Sequence, residues 1–191
     1  MKSTRLEAFS DGVLAIVITI MVLELKVPRD ASWDSLRPLW PVFLTYVMSF
    51  IYIGIYWNNH HHMLLVTERI NGAILWANLH LLFWLSLVPF VTGWMGVNQF
   101  APLPTAVYGG VMLFAAIAYA ILQAAIIAHE GEDSTLRRAV GKDLKGKISL
   151  ALYLLAIAGA FVNQYFAVAI YAGVALIWLV PDRRIEKKVD A

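Results

Sequence analysis

Apolar residues occur in long runs that short polar segments separate. The first run ends at Val27, and between Gly12 and Leu23 its only polar side chain is Thr19. A helix of about twenty residues rises about 30 Å, which matches the hydrocarbon core of a bilayer. The same reasoning along the chain predicts six membrane-spanning helices, at residues 5–27, 39–58, 71–97, 105–128, 148–162 and 165–180.

Polar segments predict the connections between these spans. We expect the histidine run at 60–62 to lie in a short turn after the second span, and residues 129–147 to form a partly helical cytosolic loop. Only Asn163 and Gln164 separate the last two apolar runs, which together are too long for one span and therefore predict a tight helical hairpin. No internal repeat is visible, so residues 1–191 are interpreted as a single all-α transmembrane domain.

The composition independently indicates a membrane protein. Hydrophobic residues make up 60% of the chain and charged residues 15%, which is too apolar for a soluble domain of this length. The net charge of +2 is too small to indicate a nucleic-acid partner. There is no cysteine, which excludes disulfides and thiolate metal sites. Consecutive histidines on a helix point about 100° apart and cannot all reach one ion, so we predict no metal site and no cofactor.

Basic residues are distributed unequally between the two predicted sides of the membrane. Positively charged loops favour the cytosol, so the richer side predicts cytosolic N- and C-termini, which agrees with an even number of spans. The poorer side carries Lys26, Arg29 and Arg37. The richer side carries Lys2, Arg5, Arg69, the basic residues from Arg137 to Lys147, Arg183, Arg184, Lys187 and Lys188.

The first span has two different faces when it is drawn as a helix with about 100° per residue. Phe9, Ile16, Ile20 and Leu23 fall on one stripe, and Thr19 lies about 60° to its side. Asp11 lies about 140° from Ile16, so it must face different surroundings. We therefore expect Asp11 to face protein.

Three motifs in the first half of the chain resemble those of a known family. They are Arg5-x-x-x-Phe9-Ser10-Asp11, then Trp57-Asn58-Asn59-His60, and Asn78 followed by the segment from Leu87 to Thr92. Together they resemble the transmembrane protein 175 family of potassium-permeable channels, known from lysosomes and many bacteria. The second half is similar in hydropathy alone.

The resemblance implies an oligomeric channel. Four chains would surround a central pore lined by the first helix, in the bacterial cell membrane. Rings of Ile16, Ile20 and Leu23 would then form a hydrophobic constriction, because confined water leaves an apolar pore and a hydrated ion cannot follow. Thr19 would supply hydroxyl groups to a permeating potassium ion. The sequence contains no Thr-Val-Gly-Tyr-Gly filter, so we expect a preference for potassium over sodium looser than in channels that carry one.

The resemblance also implies a structural role for the polar residues of the motifs. An ionised Asp11 near the membrane edge is costly unless it is paired, so partners on neighbouring helices are expected. In the family, the matching aspartate and its neighbours tie the first helix to the second and third. The predicted network comprises Arg5, Phe9, Ser10, Asp11, Trp57, His60 and Asn78.

Several alternatives remain open at this stage. Isoleucines spaced by three or four residues also suit lipid contact or core packing, and Thr19 could bond back to a carbonyl of the preceding turn. Asp11 and His60 could relay protons, because histidine titrates near physiological pH. A secondary transporter is the other runner-up, although no broken midplane helix or paired repeat is visible. An enzyme is not expected, because no nucleophile, base or ligand cluster has suitable spacing.

Overall fold

The computed structural model describes residues 3–67, 69–131, 133–141 and 143–179, and within these ranges it contains helices and no strands. Short 3-10 helices occupy Met21–Glu24 and Trp33–Leu39. The α-helices are α1 (Thr4–Ile20), α2 (Trp40–Leu65), α3 (Gly72–Ser86), α4 (Val88–Val97), α5 (Pro102–Glu130), α6 (Thr135–Val140), α7 (Leu144–Gly159) and α8 (Gln164–Leu179). The all-α class predicted from the sequence is confirmed.

Four helical segments are long and apolar enough to cross a membrane. They are Thr4–Glu24, Trp33–Leu65, Gly72–Val97 and Pro102–Glu130, and each overlaps one of the first four predicted spans. The last two predicted spans correspond to α7 and α8, which have 16 residues each. A helix of that length rises about 24 Å, short of a full hydrocarbon core. That α7 and α8 are the fifth and sixth membrane spans therefore stays a prediction.

The histidine run is helical, so its assignment to a turn was wrong. Helix α2 continues to Leu65, seven residues beyond the predicted end of the second span. The Asn59 side chain donates to the Ile55 carbonyl at 2.8 Å, and this bond stays within the helix instead of competing with it. The polar residues 58–62 therefore lie inside helix α2 and do not mark its end.

The third predicted span consists of two helices that meet at Leu87. Pro89 lies in the first turn of α4, where its missing N–H needs no helical partner but interrupts continuation from α3. The Leu87 N–H bonds to the Trp84 carbonyl, which tightens the last turn of α3. Residues 72–97 thus form one apolar segment that is long enough to cross a membrane, with a break near its middle.

Buried polar groups connect helices inside the apolar core. The Ser49 hydroxyl on α2 lies 2.7 Å from the Thr92 hydroxyl on α4 and 3.1 Å from the Tyr108 hydroxyl on α5. All three side chains are buried. Because an apolar environment offers no other partner, these hydrogen bonds specify how α2, α4 and α5 pack.

Six of the fifteen basic residues used to predict orientation are not among the described residues. Lys2, Lys142, Arg183, Arg184, Lys187 and Lys188 lie outside the described residues, as does Glu68 of the predicted turn. The cytosolic placement of the termini therefore stays a prediction.

Two adjacent glycines on α5 have different surroundings. A Cβ atom at Gly109 would lie 2.8 Å from Tyr171 Cζ on α8 and 2.9 Å from Ile157 Cγ1 on α7. A Cβ atom at Gly110 would meet nothing within 4 Å. The close approach of α5 to α7 and α8 therefore depends on Gly109 and not on Gly110.

We predict that Gly109→Ala destabilises the protein by about 1–3 kcal/mol, because the methyl group overpacks the contact with α7 and α8. Gly110→Ala should be neutral or stabilising by up to about 1 kcal/mol, since alanine is the better helix former. Thermal unfolding of the detergent-solubilised variants, followed by circular dichroism, measures the difference. Equal melting temperatures for the two variants would contradict the packing described above.

Candidate pore helix and its polar anchor

Helix α1 and the 3-10 turn after it divide into a buried and an exposed face. The buried face consists of Leu6, Ser10, Leu14, Val17 and Met21, which recur every three or four residues and pack toward α2 and α3. A second face, about 110° around the helix, carries the four large apolar residues that we call the α1 stripe. Its members expose between 42% and 71% of their surface, and they are Phe9, Ile16, Ile20 and Leu23.

Thr19 lies beside the α1 stripe with its side chain exposed. Its hydroxyl donates to the Ala15 carbonyl at 2.7 Å and lies 3.1 Å from the Ile16 carbonyl. This is the back-bonded geometry that was one of the two interpretations of the sequence. It leaves the oxygen lone pairs pointing away from the helix, because the hydrogen is already used. The oxygen can therefore still accept a hydrogen bond or contact a cation.

A chain of buried hydrogen bonds joins α1, α2 and α3. Asn78 Nδ2 donates to Ser10 Oγ at 2.9 Å, and Ser10 Oγ in turn donates to the Leu6 carbonyl at 2.8 Å. On the other side of the amide, Asn78 Oδ1 lies 2.7 Å from His60 Nε2. Ser10 and Asn78 are fully buried, and His60 retains 1% of its exposure. We call these three side chains the anchor triad.

The direction of the bonds in the anchor triad assigns the histidine protons. Asn78 uses its amide nitrogen toward Ser10, so its oxygen must accept a hydrogen from His60 Nε2. The second ring nitrogen, Nδ1, is buried and has no hydrogen-bond partner within the described ranges. In the neutral ring that nitrogen is an acceptor. His60 is therefore satisfied on one side and unsatisfied on the other.

Two further polar pairs join α1 to α2. Trp57 Nε1 donates to Asp11 Oδ1 at 3.0 Å, and His61 Nδ1 lies 2.9 Å from Glu7 Oε1. The rings of Trp57 and His61 are stacked with centroids 6.1 Å apart. Asp11 thus faces protein, as its position on the helical wheel indicates. No hydrogen bond joins Asp11 to His60, since each has a different partner.

The sequence did not identify the Glu7–His61 pair. A signal for it exists: Glu7 and Asp11 are four residues apart on α1, and so are Trp57 and His61 on α2. Residues with that spacing share a helix face, so the two pairs can stack along one interface. Only the register between the helices decides which of them meet.

The structure does not bring all the predicted network residues together. Ser10, Asp11, Trp57, His60 and Asn78 meet where α1, α2 and α3 join. Arg5 is exposed, and its side chain makes no polar contact with any residue in the described parts of the chain. Phe9 belongs to the α1 stripe and is 52% exposed.

Metal ligands are not grouped in the part of the chain that the structure describes. No set of three or more histidine, aspartate or glutamate residues there could hold a metal ion. The histidines at 60 and 61 instead bond to Asn78 and Glu7.

We predict that Asn78→Ala destabilises the protein strongly, because Ser10 loses its amide donor and His60 Nε2 loses its acceptor. Each unsatisfied buried group costs about 1–3 kcal/mol. Asn98→Ala is the matched control, since Asn98 is exposed and its side-chain amide donates to the Trp94 carbonyl one turn before it. Differential scanning fluorimetry in detergent compares the variants. A melting temperature for Asn78→Ala as high as that of the control would contradict an anchoring role.

Comparisons with known proteins agree with these observations. A sequence profile of the family described as endosomal/lysosomal potassium channel TMEM175 matches residues 5–89. A protein of Chryseobacterium sp. (strain P1-3) named potassium channel is 58% identical over 189 residues, covering 99% of this chain and 98% of that protein. A protein of Streptomyces collinus with the same name is 37% identical over 129 residues, 63% of each chain.

A solved structure has the same fold. The crystal structure of a lysosomal potassium-selective channel TMEM175 homolog from Chamaesiphon minutus aligns with a TM-score of 0.83 and 32% identity, covering 94% of this chain and 97% of that chain. The similarity extends through the second half, where the sequence alone offered only hydropathy. The resemblance inferred from the motifs between Arg5 and Asn78 is confirmed. The chain is an integral membrane protein and belongs to the TMEM175 family of channels.

Proposed function

We propose that the chain is the subunit of a homotetrameric potassium-permeable channel in which α1 lines a central pore. The observation that carries the proposal is the exposed α1 stripe on a helix whose other face is buried and hydrogen-bonded. A helix held by the anchor triad cannot rotate freely, so the α1 stripe always faces the same surroundings. In a symmetric ring of four copies, those surroundings would be the axis.

The relatives support the identity of the permeant ion. The Chryseobacterium protein is named a potassium channel and matches this chain over nearly its whole length. The Chamaesiphon minutus protein is described as a homolog of the lysosomal potassium-selective channel TMEM175, and it has the same fold at 32% identity. We infer that potassium is the permeant ion here and that no bound cofactor or nucleic-acid partner takes part.

The constriction would consist of successive apolar rings. Ile16, Ile20 and Leu23 are spaced by four and three residues, which puts neighbouring rings about 5–6 Å apart along the pore. Water readily leaves the space between such apolar rings. A potassium ion that entered would lose its hydration shell, and no polar group of the rings would replace the lost water. The pore can therefore be closed to ions without being filled by side chains.

Thr19 is the proposed source of selectivity. Its hydroxyl hydrogen bonds to the Ala15 carbonyl, so the oxygen lone pairs are free to contact a cation. Four such oxygens around an axis could replace part of the hydration of a potassium ion. Because the sequence has no carbonyl filter, we expect the preference for potassium over sodium to depend on the ring of Thr19 hydroxyls alone.

The proposal includes a membrane arrangement. Residues 1–191 would form one domain with six membrane spans, of which α7 and α8 are the last two and make a hairpin. Both termini would face the cytosol, and the membrane would be the bacterial cell membrane. The protein is not an enzyme.

Proton permeation is the second candidate function. It is favoured by His60, whose Nδ1 is buried and unpartnered among the described residues while its Nε2 belongs to the anchor triad. Asp11 bonds to Trp57, so a relay from Asp11 to His60 would need an intervening group.

We predict that Ile16→Asn enlarges the unitary current, because a polar ring keeps water in the constriction. The measurement is current through purified protein in planar bilayers under opposed potassium and sodium gradients. Ile121→Asn is the matched control, since Ile121 on α5 is 45% exposed but lies outside α1. An unchanged current for Ile16→Asn, or an equal increase for Ile121→Asn, would argue against a constriction at the α1 stripe.

We predict that Thr19→Val reduces the preference for potassium, because the isosteric side chain removes the oxygen. If the ring of four hydroxyls together contributes about 0.5–1 kcal/mol, the permeability ratio falls by about two- to fivefold. Thr19→Ser keeps the hydroxyl and should retain most of the preference. A reversal potential that is the same for valine and serine variants would exclude Thr19 from selectivity.

The same recordings separate the candidate functions. Unitary steps with a reversal potential on the potassium side support the channel, and a reversal potential that follows an opposed pH gradient supports proton permeation. Silence of wild type and variants, with the tetramer intact, would overturn the pore and favour a transporter with saturating flux.

A further inference from the structure

A cavity that no residue of α1 lines lies between α2, α5, α7 and α8. Its volume is 260 Å³, and aromatic rings form much of its wall. Tyr52, Tyr56, Tyr119, Tyr153 and Trp178 belong to this wall. The cavity is therefore separate from the proposed pore helix.

The cavity changes character along α7. Asp143 and Lys147 lie at the start of the helix, and Leu150 and Tyr153 follow one to two turns further in. The ten residues from 143 to 153 rise about 15 Å, roughly half the hydrocarbon core. The mouth thus carries charges while the deep part is aromatic and apolar. A lipid in one leaflet has the same order of headgroup and chain.

The two charges at the mouth are not neutralised by each other. Asp143 Oδ1 accepts from the Gly146 N–H at 3.2 Å, which holds the carboxylate at the first turn of α7. Within the described ranges, neither Asp143 nor Lys147 forms an ion pair. Asp143 is the N-cap residue of α7, with a φ of 41°, and Lys147 lies in the first turn of the helix; both line the cavity.

The aromatic rings of the cavity wall can accept a cation. The Trp178 ring already has one, because Lys145 Nζ lies 5.8 Å from its centroid. The Tyr56 and Tyr119 rings pack edge to face with centroids 6.2 Å apart. Carboxylate and ring faces together suit an ammonium group, and the Lys147 ammonium suits a phosphate.

We propose that this cavity binds one zwitterionic phospholipid of the phosphoethanolamine class from the adjacent leaflet. The lipid phosphate pairs with Lys147, the lipid ammonium lies between Asp143 and the aromatic rings, and one acyl chain enters the deep part beside Ala120. An anionic lipid without an ammonium group meets repulsion from Asp143. A free amine lacks the partner for Lys147. The combination of both charges therefore selects the zwitterion.

The test is native mass spectrometry of the purified protein in detergent, with phosphatidylethanolamine or phosphatidylglycerol of identical chains added. We expect wild type to retain more phosphatidylethanolamine. Lys147→Gln should weaken its binding by about tenfold, the value of a lost charge-assisted hydrogen bond. Asp143→Asn keeps the helix cap, since asparagine caps as well as aspartate, but should abolish the preference between the lipids. Asp34→Asn, an exposed carboxylate outside the cavity, is the control.

A second pair of variants tests the deep part. Ala120→Leu fills the chain position and should reduce binding of the lipid at least about fivefold. Ala124 lies one turn further along α5 and does not line the cavity, so Ala124→Leu should leave lipid binding unchanged. Equal retention of the two lipids by wild type, or a preference that survives Asp143→Asn, would overturn the proposal. Displacement of the lipid by inorganic phosphate or glycerophosphoethanolamine at equal concentration would also overturn the proposal, because the acyl chain would then contribute nothing to binding.

Discussion

The buried hydrogen bonds of the anchor triad are the interaction on which the arrangement of α1 depends. Ser10, His60 and Asn78 come from three helices and are almost completely removed from the surface. In an apolar interior, an amide without partners costs more than the net gain of the bonds it makes, so alternatives with rotated helices are excluded by their unsatisfied groups. The rotation of α1 is therefore specified by the hydrogen bonds that any other rotation would leave unmade.

A fixed rotation of α1 has consequences on its other side. Once Ser10 faces α3, the α1 stripe must face outward, because the stripe is centred about 110° around the helix from the buried residues. Asp11 is brought to the edge of the same interface, where Trp57 provides an indole donor. A polar contact on one face of the helix thus decides which apolar residues are available to line a pore.

Most of the helical architecture follows from hydropathy, but the details of two helices do not. The first four spans could be predicted because each contains about twenty apolar residues, and composition alone separates them from loops. The break at Leu87 depends on one proline within an apolar run. The continuation of α2 through the histidines depends on Asn59 and His60 finding partners that a linear pattern does not display.

The sequence by itself determined the α-helical membrane class, the two faces of α1 and, through the motif from Arg5 to Asp11, the family. These properties depend on local composition and on the period of the helix, which neighbours in the chain already specify. Only the tertiary structure decided that Asn78 joins Ser10 to His60, that Glu7 meets His61, and that Arg5 stays outside. Such pairings require the register between helices distant in sequence, and no local pattern contains that register.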